Sequence, residues 1–162
     1  MKMLTAVTSV SLLGLSSMAL AQSEEVTPGR ELSELIFGSI EDDPEGAADM
    51  GEFVNFGKDI FVSMDANENL SIDQIEFMEW DFGFDYIAED EGQVRSFETA
   101  KKIIFAIWDQ DADGRISKSE YDKAMVTDFR RADTDNDALL SREEFLSGYI
   151  VILAYRAAIL GE

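Results

Sequence analysis

The sequence predicts an all-α fold built from four helix-loop-helix units, and two observations carry this prediction. A pattern of acidic and aromatic residues recurs four times along the chain. Between the recurrences, apolar residues follow one another at three- and four-residue steps, as they do on one face of an amphipathic helix. Strand-like alternation is confined to short stretches inside the recurring segments, so we predict helices joined by four short loops.

Each recurring segment is twelve residues long, has oxygen-bearing side chains at its positions 1, 3 and 5, and ends in Glu at position 12. A phenylalanine stands four residues before it and an aromatic residue directly after it. The four segments are residues 41–52, 65–76, 109–120 and 133–144. The spacing predicts two halves, about 30–78 and 94–160, joined by a connector, 79–93, that we predict to be a loop with a partly buried aromatic tip.

The segments between the loops have helical periodicity. Residues 52–64 and 120–132 are each predicted to form one continuous helix, and residues 97–108 to form a helix whose apolar face includes Ile103 and Ile107. Residues 145–160 are apolar nearly all round but short for a membrane span, which predicts a buried core helix.

The same lengths predict which loops pair. A continuous twelve-residue helix is about 18 Å long, so it holds the two loops of one half apart. We therefore predict that Ile72 faces Ile116 and that Ala48 faces Leu140, each pair joining loops of different halves. The alternative, pairing of neighbouring loops within a half, requires the connecting helix to break in the middle.

The N-terminus has the pattern of a secretory signal peptide. Lys2 precedes an uncharged apolar run over residues 4–20, and Ala19-Leu20-Ala21 forms a small-residue cleavage site. A membrane anchor is the alternative. We predict cleavage after residue 21, a mature chain 22–162 that forms a single domain without a membrane span, and a secreted, periplasmic location.

Composition narrows the chemistry to carboxylates. The chain contains neither Cys nor His, which excludes disulfides, histidine general bases and the usual zinc sites. Its 34 acidic and 13 basic residues give a net charge of −21, which would repel nucleic acid and anionic membranes. An enzyme using paired carboxylates lacks a convergent pair outside the loops, so we predict no enzymatic activity.

Residues 109–120 have the pattern of a calcium-binding loop. Calcium takes six to eight oxygens, which such a loop offers from side chains at positions 1, 3 and 5, a carbonyl at 7, a water-mediated contact at 9 and a bidentate Glu at 12. Glycine at position 6, here Gly114, permits the sharp turn. The predicted ligands are Asp109, Asp111, Asp113, the Arg115 carbonyl, Ser117 and Glu120.

Residues 133–144 match the same pattern except for Ala138 at position 6. A positive φ costs a non-glycine residue roughly 1–2 kcal/mol, so we predict somewhat weaker binding. The predicted ligands are Asp133, Asp135, Asp137, the Leu139 carbonyl, Ser141 and Glu144.

The other two loops are degenerate. Residues 65–76 carry Leu70 at position 6, and we predict that this loop either binds metal weakly or only supports its partner. Its candidate ligands are Asp65, Asn67, Asn69, Asp73 and Glu76. Residues 41–52 are predicted to be vestigial, because Glu41 is long for position 1 and Pro44 stiffens the loop.

The loops resemble those of the EF-hand superfamily. The layout over about residues 37–160 is similar to that of small exported bacterial EF-hand proteins of the lanmodulin family, with the connector as an insertion. Proline at position 2, which marks that family's lanthanide sites, is replaced by Asp42, Ala66, Gln110 and Thr134, and position 9 of the two best loops is Ser. The resemblance therefore implies Ca²⁺ as the ligand, with a lanthanide ion as the alternative.

Two functions follow from this interpretation. The first is a periplasmic calcium-responsive binding module that alters a surface for an unidentified protein partner. The second is a calcium buffer or a calcium-stabilised structural protein. Comparing the exposed hydrophobic surface with and without calcium would distinguish them.

Overall fold

The computed structural model describes residues 26–40 and 46–160. The predicted signal peptide, residues 1–21, and the first five residues of the loop 41–52 lie outside the described residues. The described chain is mostly helical, as predicted. Its helices are α1 (Pro28–Phe37), α2 (Met50–Met64), α3 (Gln74–Glu79), α4 (Phe84–Asp90), α5 (Val94–Trp108), α6 (Lys118–Ala132), α7 (Arg142–Gly148) and α8 (Ile150–Leu160). Its three-residue strands are β1 (Ala47–Asp49), β2 (Ser71–Asp73), β3 (Arg115–Ser117) and β4 (Leu139–Ser141).

The strands pair between the halves of the chain, as predicted. β2 and β3 are antiparallel with Ile72 opposite Ile116, and β1 and β4 are antiparallel with Ala48 opposite Leu140. All four of these side chains are buried. The cause is the continuity of α2 and α6, which at 15 residues and about 22 Å hold their flanking loops at opposite ends. The alternative of pairing within each half is wrong.

The four helices that follow the strands each begin with the same reciprocal pair of capping hydrogen bonds. The N-cap side chain accepts a hydrogen bond from the backbone of the Glu three residues later, and that Glu accepts one from the N-cap backbone. The four N-caps are Asp49, Asp73, Ser117 and Ser141. The side chains at positions 9 and 12 of each loop therefore cap the first turn of the following helix, in addition to being candidate metal ligands.

The core is centred on α2 and α6, whose aromatic side chains interlock. Phe61 lies 5.2 Å from Tyr121 and Phe53 lies 5.7 Å from Phe129, centroid to centroid, both edge to face. Gly57 permits this close approach, because a Cβ there would lie 2.8 Å from the Met125 sulfur. The two helices that connect the loops thus form one closely packed pair.

The apolar face of α5 differs from the prediction. Phe97, Ile104 and Trp108 are buried, but Ile103 is 52% and Ile107 41% exposed. Ile103 borders Ala154 and Ala158 of α8, and Ile107 lies one helical turn further along α5. The spacing of apolar residues predicted the helix correctly, but the predicted buried face was too wide because it included Ile103 and Ile107.

The connector is not simply a loop, which corrects the prediction for residues 79–93. Gly83, with φ of +89°, turns the chain into α4, and Phe84 at its start is fully buried. The Phe84 ring lies 5.5 Å from that of Tyr155 on α8. Trp80 and Phe82 form a partly buried aromatic tip, as expected. The burial of Phe84 stabilises this short helix.

The last apolar segment is likewise two helices rather than one. The chain is extended at Tyr149, with ψ of 115°, between α7 and α8. This bend places the Tyr149 ring 5.0 Å from Phe53 in the core. Gly148 beside it packs directly on α6, since a Cβ there would lie 2.7 Å from the Ala132 Cα. Among the described residues, no helix is both long and apolar enough to cross a membrane.

Candidate metal centres

The loop 109–120 brings three carboxylates together at the end of α5. Oxygens of Asp109, Asp111 and Glu120 lie within 4.8 Å of one another. The Asp109 carboxylate also orders the loop, because it accepts hydrogen bonds from the backbone of Asp113 at 3.1 Å and of Gly114 at 3.0 Å. Gly114 has φ of +86°, as its place in the turn requires. The predicted ligand Asp113 lies outside the triplet and accepts from the Arg115 N–H.

Glu120 closes this loop from the other side. Its Oε1 accepts from the Gln110 N–H at 2.8 Å and the Asp111 N–H at 3.2 Å. Its Oε2 accepts from the N–H and Oγ of Ser117, at 2.9 and 2.7 Å. The Ser117 hydroxyl and backbone hydrogen bonds hold the pKa of the Glu120 carboxyl below its ordinary value, so the group stays ionised in the loop.

The loop 133–144 contains a second triplet of carboxylates. Oxygens of Asp133, Asp135 and Asp137 lie within 4.8 Å of one another. Asp133 Oδ1 is buried and has no hydrogen-bond partner. A buried carboxylate oxygen without a partner, beside two other carboxylates, is costly unless a cation neutralises it. Grouped hard oxygen donors are the ligands that calcium and similar cations prefer, so these residues fit such an ion.

Glu144 faces the same loop but is held by its hydrogen bonds. It accepts from the Thr134 N–H at 2.9 Å, the Thr134 Oγ1 at 3.0 Å and the Ser141 Oγ at 2.8 Å. Burial would raise the pKa of the Glu144 carboxyl, but the hydrogen bonds from Ser141 and Thr134 outweigh it and lower the pKa to about 2. The Glu144 carboxylate is therefore ionised in the folded protein at neutral pH.

This lowered pKa predicts an acid-sensitive contribution to stability in the metal-free protein. The stabilisation by Glu144 is complete above its ordinary pKa of 4.5 and is lost as the pH falls from there toward 2. We expect the unfolding free energy of the wild type to drop more steeply over this interval than that of Glu144→Gln. Urea unfolding in EDTA at a series of pH values measures the difference, and parallel curves would contradict the prediction.

The loop 65–76 is organised by internal hydrogen bonds instead. The Asp65 carboxylate accepts from the backbone of Asn69 at 3.0 Å and of Leu70 at 2.8 Å, and Leu70 has φ of +63°. The Asn67 side-chain amide donates to Glu76 Oε1 at 2.7 Å. Asn67 and Glu76, two of its candidate ligands, therefore face each other. The neutral amide of Asn67 stands at position 3, where the loop 109–120 has the carboxylate of Asp111. Asp73 caps α3.

The loop 41–52 is described only from residue 46 onward. Gly46 has φ of +74°, and Glu52 Oε2 accepts from the Asp49 N–H at 2.7 Å. The candidate ligand positions Glu41, Asp43 and Glu45 lie outside the described residues.

The sequence did not predict the burial of two charged residues, Asp128 and Lys101. Asp128 is 2% exposed and accepts from the indole N–H of Trp108 at 3.0 Å. Burial raises the pKa of the Asp128 carboxyl. Lys101, also 2% exposed, donates to the carbonyls of Met78 and Trp80. The only sequence signal was the position of both residues on apolar helix faces.

Two comparisons with known proteins give no match for this chain. No family model matches it. No curated protein matches it at a significant level. The interpretation of the two carboxylate centres therefore rests on their geometry and on the chemistry of their donors.

Proposed function

We propose that this protein binds calcium through EF-hand loops at residues 109–120 and 133–144. The observation that carries the proposal is the pair of carboxylate triplets, one in each loop, together with the buried and unpartnered Asp133 Oδ1. Such an arrangement concentrates negative charge in a folded loop, and a bound divalent cation would offset the repulsion.

The donor set favours a hard cation such as calcium over zinc, copper or nickel. Hard oxygen ligands without nitrogen or sulfur suit calcium, and nitrogen or thiolate ligands cannot come from a chain without His or Cys. In the loop 109–120 the ligands would be Asp109, Asp111, Asp113, Glu120, the Arg115 carbonyl and, through water, Ser117. The loop 133–144 would use the equivalent positions. A lanthanide ion, which also prefers oxygen, is the alternative to be tested in competition.

We infer weaker binding, or a purely supporting role, for the loop 65–76. Asn67 and Asn69 contribute no charge, and the Asn67 amide already donates to Glu76. The loop is nevertheless joined to the loop 109–120 through Ile72 and Ile116. It can therefore fix the position of a stronger neighbouring site without binding an ion itself.

We also propose that the protein is a calcium-responsive module, exported to the periplasm by its N-terminal signal. Support for a response comes from α2 and α6, which each connect two loops and pack on each other. A shift of one loop on binding would therefore move the helix that leads to the next loop. Binding of a hydrophobic dye with and without calcium tests this part. Equal dye binding with and without calcium would instead favour the alternative that the protein is a calcium buffer.

Calorimetric titration of metal-free residues 22–162 with calcium tests the central proposal. We expect two tight sites and at most one weaker site per chain, in the presence of excess magnesium. Helicity followed by circular dichroism in the same titration should rise and saturate with the tight sites. A titration without saturable heat would overturn the proposal.

Ala138 offers a test of loop strain. Its φ is +69°. When calcium orders the loop, Ala138→Gly should relieve a cost of roughly 1–2 kcal/mol at this position, partly offset by the ~0.5–1 kcal/mol of backbone entropy that glycine loses as the loop becomes ordered. We therefore expect affinity in the loop 133–144 to rise by about two- to fivefold.

The matched variant is Gly114→Ala in the loop 109–120. A Cβ at Gly114 would meet nothing within 4 Å, so its cost is conformational only. We expect this variant to weaken its site. A loss of affinity in Ala138→Gly would contradict the strain assigned to Ala138.

A further inference from the structure

Trp108 lies where α5 enters the loop 109–120, and it joins the two ends of that loop. Its backbone leads directly into Asp109, the proposed ligand at position 1. Its indole ring packs edge to face on the ring of Tyr121, with 5.3 Å between centroids, and Tyr121 directly follows Glu120, the proposed ligand at position 12. A rotation of the indole would therefore disturb both ends of the loop.

Asp128, on α6, holds the indole in one orientation. Its Oδ2 accepts a hydrogen bond from Trp108 Nε1 at 3.0 Å, and both side chains are buried. Its Oδ1 accepts from Arg131 Nη1 at 3.2 Å, so both oxygens of the carboxylate are engaged. The edge-to-face contacts of the indole with Phe77 and Tyr121 are apolar. A hydrogen bond is more directional than such contacts, so the bond to Asp128 selects the rotation of the ring.

The other three loops lack such a pair. Trp108 directly precedes its loop, and Asp128 stands at position 20, counted from the first residue of the loop. The equivalent pairs at the other loops are all apolar: Ile40 with Ile60, Met64 with Phe84, and Ala132 with Ile152. The repeated unit therefore does not need a buried carboxylate at this position, and burying one is costly. The carboxylate occurs only beside the loop that has the most complete set of candidate ligands.

We propose that Asp128 is a positioning residue for calcium in the loop 109–120, because through Trp108 it holds Asp109 and Glu120 where their oxygens converge. This inference rests on the proposed calcium binding by that loop. In the structure the Asp109 and Glu120 oxygens lie within 4.8 Å of each other while the Trp108–Asp128 hydrogen bond is formed. A loop that is ordered in advance loses less conformational entropy when it binds its ion.

The expected effect on calcium affinity is about tenfold. Residues that hydrogen-bond directly to metal ligands typically contribute about ten- to hundredfold to the affinity. Asp128 acts through the neighbouring Trp108 rather than on a ligand itself, so we expect the lower end of this range.

Three variants separate the hydrogen bond from the charge. Asp128→Leu removes the charge and the acceptor, whereas Asp128→Asn removes the same charge but keeps an acceptor oxygen for the indole. The double variant Trp108→Phe/Asp128→Leu replaces both partners with apolar groups, as in the other three repeats. It leaves no buried donor unpaired, so it keeps the test valid where Asp128→Leu alone folds poorly.

The affinity of each loop is measured from its backbone amides in ¹H–¹⁵N spectra of the whole protein, stripped of metal and titrated with calcium. We expect the affinity of the loop 109–120 to fall about tenfold in Asp128→Leu and in the double variant, but less than about threefold in Asp128→Asn. The loop 133–144 should change by less than about threefold in all three. A general loss of stability would instead weaken both loops.

The Trp108 indole N–H gives a second measurement that needs no calcium. Its signal is identified by its absence from the double variant, which retains the signal of Trp80. In EDTA we expect this N–H to exchange with solvent about tenfold faster in Asp128→Leu than in the wild type, and Asp128→Asn to restore most of its protection.

The outcomes distinguish this inference from the proposed function. If the wild type binds calcium and Asp128→Leu and the double variant bind it equally well, the positioning role is refuted and calcium binding stands. Equal weakening of both loops, or a tenfold loss in Asp128→Asn as well, would also refute it, since the effect would then come from stability or from charge. A wild type whose loops do not respond to calcium would overturn the proposed function, and this inference with it.

Discussion

Replacing Glu120 with Gln should remove one tight calcium site and lower the stoichiometry by one. The substitution deletes a negative charge at position 12 and places a donor where the N–H groups of Gln110 and Asp111 now point at Oε1. Loss of a charged ligand, with an added donor–donor conflict, should cost about 3 kcal/mol, or a hundredfold in affinity. Calorimetric titration of the variant measures both quantities.

Glu98→Gln is the control for this experiment. Glu98 is an exposed acid on α5 outside the loops, so its loss changes the net charge equally but should leave both sites intact. Glu144→Gln should remove the site in the loop 133–144 in the same way. Unchanged stoichiometry and affinity in Glu120→Gln would refute the assignment of Glu120 as a ligand.

Replacing Lys101 with Met should destabilise the protein by about 2–4 kcal/mol. The Lys101 amine donates to the Met78 and Trp80 carbonyls at 2.8 and 2.9 Å and pairs with Asp85 at 3.2 Å. Met fills a similar apolar volume but leaves these carbonyls and the partly exposed Asp85 without their cation. The C-terminal end of α3 would then lose its hydrogen bonds to α5 and be held there by the packing of Phe77 on Phe105 and Trp108.

Lys102→Met is the matched control for the Lys101 variant. The Lys102 side chain is 56% exposed, and its nearest acid, Glu98, lies 4.0 Å away, so the change should be within about 0.5 kcal/mol. Urea unfolding of the metal-free proteins measures both variants. Equal effects would show that the buried amine contributes no more than an exposed one.

The features that could be predicted are those fixed by spacing. A twelve-residue interval between loops favours one continuous helix, and the length of that helix predicts that Ile72 meets Ile116, as the structure shows. The positive φ of Ala138 followed from the turn at position 6 in the same way. These inferences need only local geometry and the rise of a helix.

The features that could not be predicted depend on tertiary packing. The bend at Tyr149 exists because its ring enters the core beside Phe53, and no Pro marks it. Lys101 and Asp128 are buried because partners from other helices satisfy them, which a single segment does not reveal. Likewise, the hydrogen bond from Asn67 to Glu76 explains why the loop 65–76 differs from its neighbour, but only the fold brings the two side chains together.

The most direct test of calcium binding is a site-resolved titration by ¹H–¹⁵N nuclear magnetic resonance. The backbone amides of residues 109–120 and 133–144 report on each loop separately, and the Gly114 N–H, which donates to Asp109 Oδ2 at 3.0 Å, lies at the centre of one of them. We predict that calcium shifts the amides of both loops until two equivalents are bound. Spectra in which neither loop responds to calcium would contradict the proposed function.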